Sequence, residues 1–420
     1  MNSLFGTDGV RGIANRQLTS KLAYDLGRAG AYCLTNEVHK AKILIGKDTR
    51  ASGDMLESAF VAGVCSVGAE AVVTCTLPTS AVAYLTREMN YDAGVMISAS
   101  HNAVEYNGIK FFNSQGYKLA DEIEDRIESL IVNHDENIPM PTGISIGRRI
   151  RMKKAAQEYI DYIVECAGTR LEGLKVVLDC ANGAASEIAP WVFKLLGAEV
   201  IPYYNMPDGN NINDNCGSTH PEQMARLVPE LGADVGLAFD GDADRLIAVD
   251  EFGNIVDGDK IMTICAIDMK AQGKLKRDTL VATVMSNMGM EVTLKKQGIN
   301  LVRTDVGDRY VLEEMLQNGY NLGGEQSGHI IYLDHNTTGD GILSGVNLLA
   351  VMKREEKHLS RLAKRVDIYP QVLVNARVSD DKKHGYMDDE EIQKAVKTLE
   401  KNFSGEGRVL IRTSGTEPLV

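Results

Sequence analysis

Short apolar runs that each end in a polar loop set the rhythm of this chain. Ile43-Leu44-Ile45 has the length of a buried strand and gives way to Gly46-Lys47-Asp48-Thr49-Arg50. Ser52 then fits a helix N-cap, and Met55, Leu56, Ala59 and Phe60 form a helical stripe ending near Gly68. Ala71-Val72-Val73 reads as the next strand, and Pro78 opens a helix carrying Val82 and Leu85. The run Ala93-Gly94-Val95-Met96-Ile97 is strand-like again and ends in Ser98-Ala99-Ser100-His101-Asn102. This alternation predicts an α/β fold with a mostly parallel sheet.

The same plan recurs twice more, which points to internal duplication. Lys175 to Asp179 is a strand running into Cys180-Ala181-Asn182-Gly183, followed by a helix through Trp191, Phe193 and Leu195. Leu280 to Asn287 repeats it, with a helix to Lys296. Each unit later delivers a second strand ending in a polar loop. These loops are Ser98 to Asn102, then Asp240-Gly241-Asp242-Ala243-Asp244-Arg245 after Val235–Phe239, then Gly323 to His329 after Tyr320-Asn321-Leu322. Position in the unit is repeated and side-chain identity is not, so one scaffold presents three chemistries. After Pro370 the style changes. Gln371 to Val378 alternates like a strand, Ile392, Val396, Leu399 and Phe403 mark an amphipathic helix, and Val409-Leu410-Ile411 is a further strand. The charged stretch Asp380 to Glu391 reads as a solvated turn and helix start.

At 420 residues the chain exceeds one ordinary core, so about two to four domains are expected. A formal charge of −13 argues against non-specific nucleic-acid binding, which needs a basic surface, but leaves room for a phosphorylated small substrate. No run of ~18 apolar residues exists to span a membrane, and the first residues lack the basic and apolar regions of a signal peptide. Seven cysteines without Cys-x-x-Cys spacing suit a reducing cytoplasm; Cys65, Cys75, Cys180 and Cys265 stand among apolar neighbours and read as core.

The loops carry the candidate chemistry. Ser100 emerges where a strand of an open α/β sheet ends, the place where ligands and nucleophiles collect. Asp240, Asp242 and Asp244 alternate along what reads as an extended segment, so their carboxylates can face one point and form a hard oxygen site of the Mg²⁺ kind. A surface acidic turn is the bland alternative. An EF-hand fails, because Arg245 stands where that loop needs glycine and Leu246 to Val249 reads as a strand. Arg412-Thr413-Ser414-Gly415-Thr416 combines a fork-shaped cation, hydroxyls and free backbone N–H groups, a phosphate cradle. Glu325, Ser327 and His329 alternate as well and suit the hydroxyls of a sugar. Lys110, between apolar residues, is either desolvated enough to exchange protons or snorkels to water. Arg11, in the glycine-rich loop Phe5 to Gly12, reaches an anion or is solvated. His220 has a structural explanation, since Thr219-His220-Pro221-Glu222 fits a helix capping box.

Taken together, the serine loop Ser98 to Asn102, the aspartate loop Asp240 to Arg245, Gly324-Glu325-Gln326-Ser327-Gly328-His329 and Arg412 to Thr416 resemble, in order, the four signature loops of the α-D-phosphohexomutase superfamily. Gly6 to Gly12, Cys216 to Glu222, Val306-Gly307-Asp308-Arg309-Tyr310 and Gln326 resemble its glucosamine branch. The resemblance implies three similar mixed-sheet α/β domains around a central cleft and a smaller α+β C-terminal domain. The expected division is a phosphoserine domain 1–152, a metal-binding domain 153–252, a sugar-recognition domain 253–368 and a phosphate-binding domain 369–420. The family's last domain continues beyond the position of Val420, so this one is expected to be incomplete. Ala103 replaces the family's usual proline, which predicts a less rigid serine loop. The implied reaction interconverts glucosamine 6-phosphate and glucosamine 1-phosphate, on the route to UDP-N-acetylglucosamine and the cell wall, through phosphorylated Ser100 and a bound glucosamine 1,6-bisphosphate. Mg²⁺ would lie on Asp240, Asp242, Asp244 and a phosphoserine oxygen. By the same resemblance Lys110 and Arg11 transfer protons or stabilise charge, and Arg245 contacts the phosphoserine. Arg412, Ser414, Gly415 and Thr416 hold the idle phosphate, and Glu325, Ser327 and His329 bind sugar. No nucleic-acid or membrane partner is expected, and a homodimer stays open. Alternatives are a phosphomannomutase or phosphoglucomutase, a non-catalytic sugar-phosphate sensor and a Mg²⁺-dependent phosphatase.

Overall fold

The computed structural model of the chain describes residues 4–6, 8–34, 40–133, 138–372, 374–379, 385–404, 407–413 and 420. The first unit contains β1 (Val10–Ile13), α1 (Ser20–Leu34), β2 (Lys42–Lys47), α2 (Ser52–Ser66), β3 (Glu70–Thr76), α3 (Thr79–Glu88), β4 (Ala93–Ile97), β5 (Tyr106–Asn113), α4 (Asp121–Val132) and β6 (Arg149–Arg151). The second contains α5 (Ala155–Cys166), β7 (Lys175–Asp179), α6 (Ala185–Leu195), β8 (Glu199–Tyr203), α7 (Glu222–Glu230), β9 (Val235–Phe239), β10 (Leu246–Asp250) and β11 (Ile255–Val256). The third contains α8 (Gly258–Ala271), β12 (Thr279–Thr283), α9 (Met288–Lys296), β13 (Asn300–Thr304), α10 (Asp308–Asn318), β14 (Leu322–Gly324), β15 (Ile330–Tyr332), α11 (Gly341–Glu355) and α12 (Leu359–Ala363). A last helix, α13 (Glu390–Phe403), follows.

The three sheets, ordered β1-β5-β4-β2-β3-β6, β11-β10-β9-β7-β8 and β13-β12-β14-β15, share one plan. In each, a first strand pairs parallel with its successor and with a third strand, and the third turns back into an antiparallel fourth. These sets are β2, β3, β4, β5; β7, β8, β9, β10; and β12, β13, β14, β15. The duplication expected from the apolar pattern is therefore a topological one, and the sheets are mixed because of that returning strand. Alternate residues serve opposite faces, as the strand period requires. Ile43, Ile45, Val95 and Ile97 enter the core under α1 and α2. Leu44, Val72, Met96 and Phe112 enter a second core that continues through Phe193, Leu237 and Val346, so the three units share one interior.

Local details depart from the sequence reading. Ser52 lies inside α2, whose cap residue is Ala51, and its hydroxyl accepts from Asn107 Nδ2 at 2.9 Å. The Thr219 capping box does not form: α7 starts at Glu222 behind Pro221 with no side-chain cap, because the chain is still in a turn at Thr219. Tyr320 and Asn321 precede β14. Cys75 is exposed at the end of β3, whereas Cys216 is buried. Trp191 and Leu195 face outward from α6, which buries Phe193 instead. The strands expected in 371–378 and 409–411 are absent among the described residues. A strand exists only through its ladder partner, and here Ala376 and Val420 exchange a single pair of backbone bonds of 2.9 Å. The apolar stripe of α13 is correspondingly uncovered, with Ile392, Leu399 and Phe403 exposed.

One buried polar network ties the units together. Tyr159 of α5 donates to Asp340, the N-cap of α11, at 2.8 and 2.9 Å, and meets Ser80 of α3 at 3.0 Å. Asn336 bridges Ser80 O and Asp340 Oδ2. Removing a bond to a buried carboxylate costs about 1.5–3 kcal/mol. Tyr159→Phe is therefore expected to lower the unfolding free energy by about that amount, read from a lowered denaturant midpoint at unchanged slope; an unchanged midpoint would show that the network is dispensable.

Candidate active site

The serine loop is held from below. Ser98, fully buried, donates to Asp48 Oδ2 at 2.7 Å and accepts the backbone N–H of Ser100 at 2.9 Å. Ser100 sits at φ +52°, a left-handed conformation uncommon for a residue with a Cβ. That geometry turns its hydroxyl toward the second unit, where it donates to Asp240 Oδ2 at 2.6 Å. Close approach of the two loops depends on Gly241, since a Cβ there would lie 2.6 Å from Ser100 O. Arg11 reaches the loop from β1, donating to Asn102 Oδ1 at 3.0 Å while paired to Asp8 at 2.7 Å. Ala103 lacks proline's rigidity, yet its carbonyl is held by Arg50 Nη1 at 2.5 Å.

The aspartate loop converges by a different local route from the one its alternation suggested. Residues 241–242 form a turn and Ala243 is left-handed at φ +58°, so the carboxylates are gathered by a tight reversal between β9 and β10 and not by strand pleating. One carboxylate oxygen each from Asp240, Asp242 and Asp244 lies within 4.8 Å of the others. Burial, then repulsion from Asp244 and Asp242, pushes the Asp240 carboxyl well above its ordinary value. Asp242 Oδ1 and Asp244 Oδ1 are buried without a hydrogen-bond partner. An all-carboxylate set with orphaned oxygens is what a hard divalent cation such as Mg²⁺ requires, so the residues present fit that ion. Thr79, at the start of α3, ties the first unit to this loop through Asp242 Oδ2 at 2.6 Å.

Cations surround the aspartates. Lys110, at the centre of β5, is buried and places Nζ 3.0 Å from Asp242, 3.0 Å from Asp8 and 3.8 Å from Asp244. Burial by itself would lower its pKa, but Asp242, Asp8 and Asp244 reverse the sign and hold the ammonium charged. Lys110 is therefore buried and does not snorkel to water, and the carboxylates that pair with it come from other segments. His329 is buried as well, away from the open face where Glu325 and Ser327 lie, with Nδ1 3.5 Å from Asp244 and Nε2 3.5 Å from Asp308. Burial disfavours its charged form, yet Asp244, Asp308 and Glu325 raise it to about 9. Arg245 leaves its Nε unpartnered 3.9 Å from Asp244. Burial, then Arg245 and Arg11, lowers the neighbouring His101 to about 4 and keeps it neutral.

Glu325 is partly exposed and Ser327 exposed, joined by a bond of 3.4 Å in the turn between β14 and β15. Arg412 is exposed in a segment without regular secondary structure, and Ser414, Gly415 and Thr416 lie outside the described residues. Residues not singled out for chemistry complete the centre. Lys118 bridges Asp8 at 2.8 Å and Asp308 at 2.7 Å, linking the first and third units, with Arg309 paired to Asp121 beside them. Asp308 was visible only as part of a branch motif, and Arg50 only as the end of a polar loop after the first strand of its unit.

Three α/β/α profiles of the phosphoglucomutase/phosphomannomutase family, for domains I, II and III, match residues 2–138, 157–253 and 257–369, and its C-terminal-domain profile matches 373–420. The chain is 60% identical, over 100% of its length and 94% of the relative's, to a phosphoglucosamine mutase of Caldanaerobacter subterraneus subsp. tengcongensis. Among solved structures, a phosphoglucomutase/phosphomannomutase family protein of Burkholderia thailandensis superposes with a TM-score of 0.78 at 24% identity, covering 93% of this chain and 85% of that one. The N-acetylphosphoglucosamine mutase of Aspergillus fumigatus, solved with GlcNAc-6P and magnesium, superposes with a TM-score of 0.66 at 17% identity over 99% of this chain and 90% of that one. The chain belongs to the phosphoglucomutase/phosphomannomutase family, within the α-D-phosphohexomutase superfamily.

Proposed function

We propose that the protein interconverts glucosamine 6-phosphate and glucosamine 1-phosphate, using Ser100 as a phosphoryl carrier in the cytoplasm. The observation that carries this reading is the Ser100 hydroxyl, strained toward a buried carboxylate cluster at 2.6 Å, in a chain 60% identical to a phosphoglucosamine mutase. Phosphorylated Ser100 passes its phosphoryl group to the free hydroxyl of the sugar phosphate, giving a bound glucosamine 1,6-bisphosphate. The intermediate turns over and returns its other phosphate to Ser100. Phosphate-monoester cleavage is so slow without a catalyst that positioning and charge neutralisation must supply most of the rate. Mg²⁺ held by Asp240, Asp242, Asp244 and a phosphoserine oxygen would act as Lewis acid when bound.

The chain's own residues do the remainder. Lys110, kept charged by its three carboxylates, suits neutralising the transferring group and giving a proton to the leaving oxygen; it is a poor base. Arg11 and Arg245 both lie near the serine loop and suit the same anionic charge. Glu325 and Ser327, on the accessible turn, suit sugar hydroxyls in two opposed poses. His329 suits holding Asp244 in place, and Arg412 with Ser414, Gly415 and Thr416 the phosphate that is not reacting. We assign residues 1–152, 153–252, 253–368 and 369–420 to the four parts of this site. Among the described residues no helix is long and apolar enough to cross a membrane.

Two measurements test the reading. Intact-mass analysis is expected to find one phosphate on the wild type and none on Ser100→Ala, whose kcat falls by at least about a thousandfold; turnover surviving in that variant would refute the carrier. The kcat/KM for glucosamine phosphates is expected to exceed those for glucose and mannose phosphates by at least about tenfold, and the reverse order would move the chain to another branch.

A further inference from the structure

Arg50 belongs to none of the groups assigned a part in the reaction, yet its side chain is buried without exposed surface. A guanidinium carries five N–H donors in a planar fork, and here each has a partner. Nε donates to Asp48 Oδ2 at 2.9 Å, Nη1 to the carbonyls of Ala103 and Tyr106 at 2.5 and 3.1 Å, and Nη2 to those of Ser100 and Asn102 at 3.0 and 2.7 Å. Three of these carbonyls belong to the turn between β4 and β5, the segment that presents Ser100, and the fourth to Tyr106 at the start of β5.

The same short loop also grips the second unit. Thr49 Oγ1 donates to Asn182 O at 2.6 Å and the Ala51 N–H to Gly209 O at 2.9 Å. From the other side, Asn213 of the second unit donates through Nδ2 to Ser100 O at 2.9 Å and Asn102 O at 3.1 Å. Asp48 closes the circuit through Ser98, whose hydroxyl holds the Ser100 N–H. The backbone of Ser100 is thus fixed at its N–H by Ser98 and at its carbonyl by Arg50 and Asn213, one donor from each unit.

We infer that Arg50 is a positioning residue for the proposed mutase reaction: with Asp48, Ser98 and Asn213 it holds Ser100 in its left-handed conformation and sets the serine oxygen against the aspartate loop. The inference rests on the reading of function above. It follows that lysine cannot replace it, since an ammonium on a flexible stem supplies three donors and no fork.

The test compares wild type, Arg50→Lys, Ser98→Ala and Asn213→Ala in two assays. One is turnover of glucosamine 6-phosphate with Mg²⁺ and glucosamine 1,6-bisphosphate; the other is phosphorylation of Ser100 by that bisphosphate, followed by intact mass. Misplacement of a reacting atom is expected to lower kcat in each variant by about ten- to a hundredfold. KM should stay within about threefold, because no substrate contact is removed, and Ser100 phosphorylation should slow in parallel. Should Arg50→Lys lose cooperative thermal unfolding, Ser98→Ala and Asn213→Ala, which keep the Asp48–Arg50 ion pair, decide the matter. Folded variants with wild-type kcat overturn the inference while the mutase reading stands. A wild type without turnover removes the mutase reading and the inference with it.

Discussion

Three carboxylates gathered in a buried space, with oxygens within 4.8 Å of one another, impose the condition that the rest of the centre has to meet. Like charges at that range repel strongly once water is excluded, and an uncompensated buried ion is prohibitively costly. Burial, and after it repulsion from Asp244 and Asp242, pushes the Asp240 carboxyl far above its usual value. Lys110 and Arg245 supply compensating charge, one from β5 and one from the aspartate loop itself, and His329, just before β15, lies beside Asp244. Asp8, Asp308 and Lys118 continue the alternation of sign outward across the first and third units. The oxygens left over on Asp242 and Asp244 match a divalent cation, the remaining charge that the cluster lacks.

Such a cluster can be assembled only where several chain segments end together, and the repeated topology provides that place. Ser100 lies in the turn from β4 to β5, the aspartates in the turn from β9 to β10, and Glu325 to Ser327 in the turn from β14 to β15: corresponding points of the three units. The core shared from Leu44 through Val346 fixes the units against each other, so the loops meet as parts of one rigid body. A strained serine persists there because its surroundings over-determine it.

How much of this was legible follows from the range of the interactions involved. The strands β2, β3, β4, β7, β9, β10 and β12, the unit repeat and the three loops depend on local apolar runs and short spacing, which one sequence displays. The ion pairs of Lys110 are not legible in its apolar neighbours, because its partners Asp242 and Asp8 lie far away in the chain. Arg50 was passed over for a related reason: an arginine in a polar loop is ordinarily solvated, and only the folded turn shows four carbonyls converging on it. Beyond Pro370 the alternation in 371–378 and 409–411 is real, but alternation describes a surface that suits a ladder and does not supply the partner.

The central claim is that Ser100 carries the phosphoryl group between two positions of one sugar. Radiolabelled phosphoserine enzyme, freed of bisphosphate and mixed with unlabelled glucosamine 6-phosphate in a single turnover, tests it most directly. The account predicts that the label appears first in glucosamine 1,6-bisphosphate and then in glucosamine 1-phosphate, while Ser100 regains an unlabelled phosphate. Release of the label as inorganic phosphate, or formation of unlabelled glucosamine 1-phosphate, would contradict it.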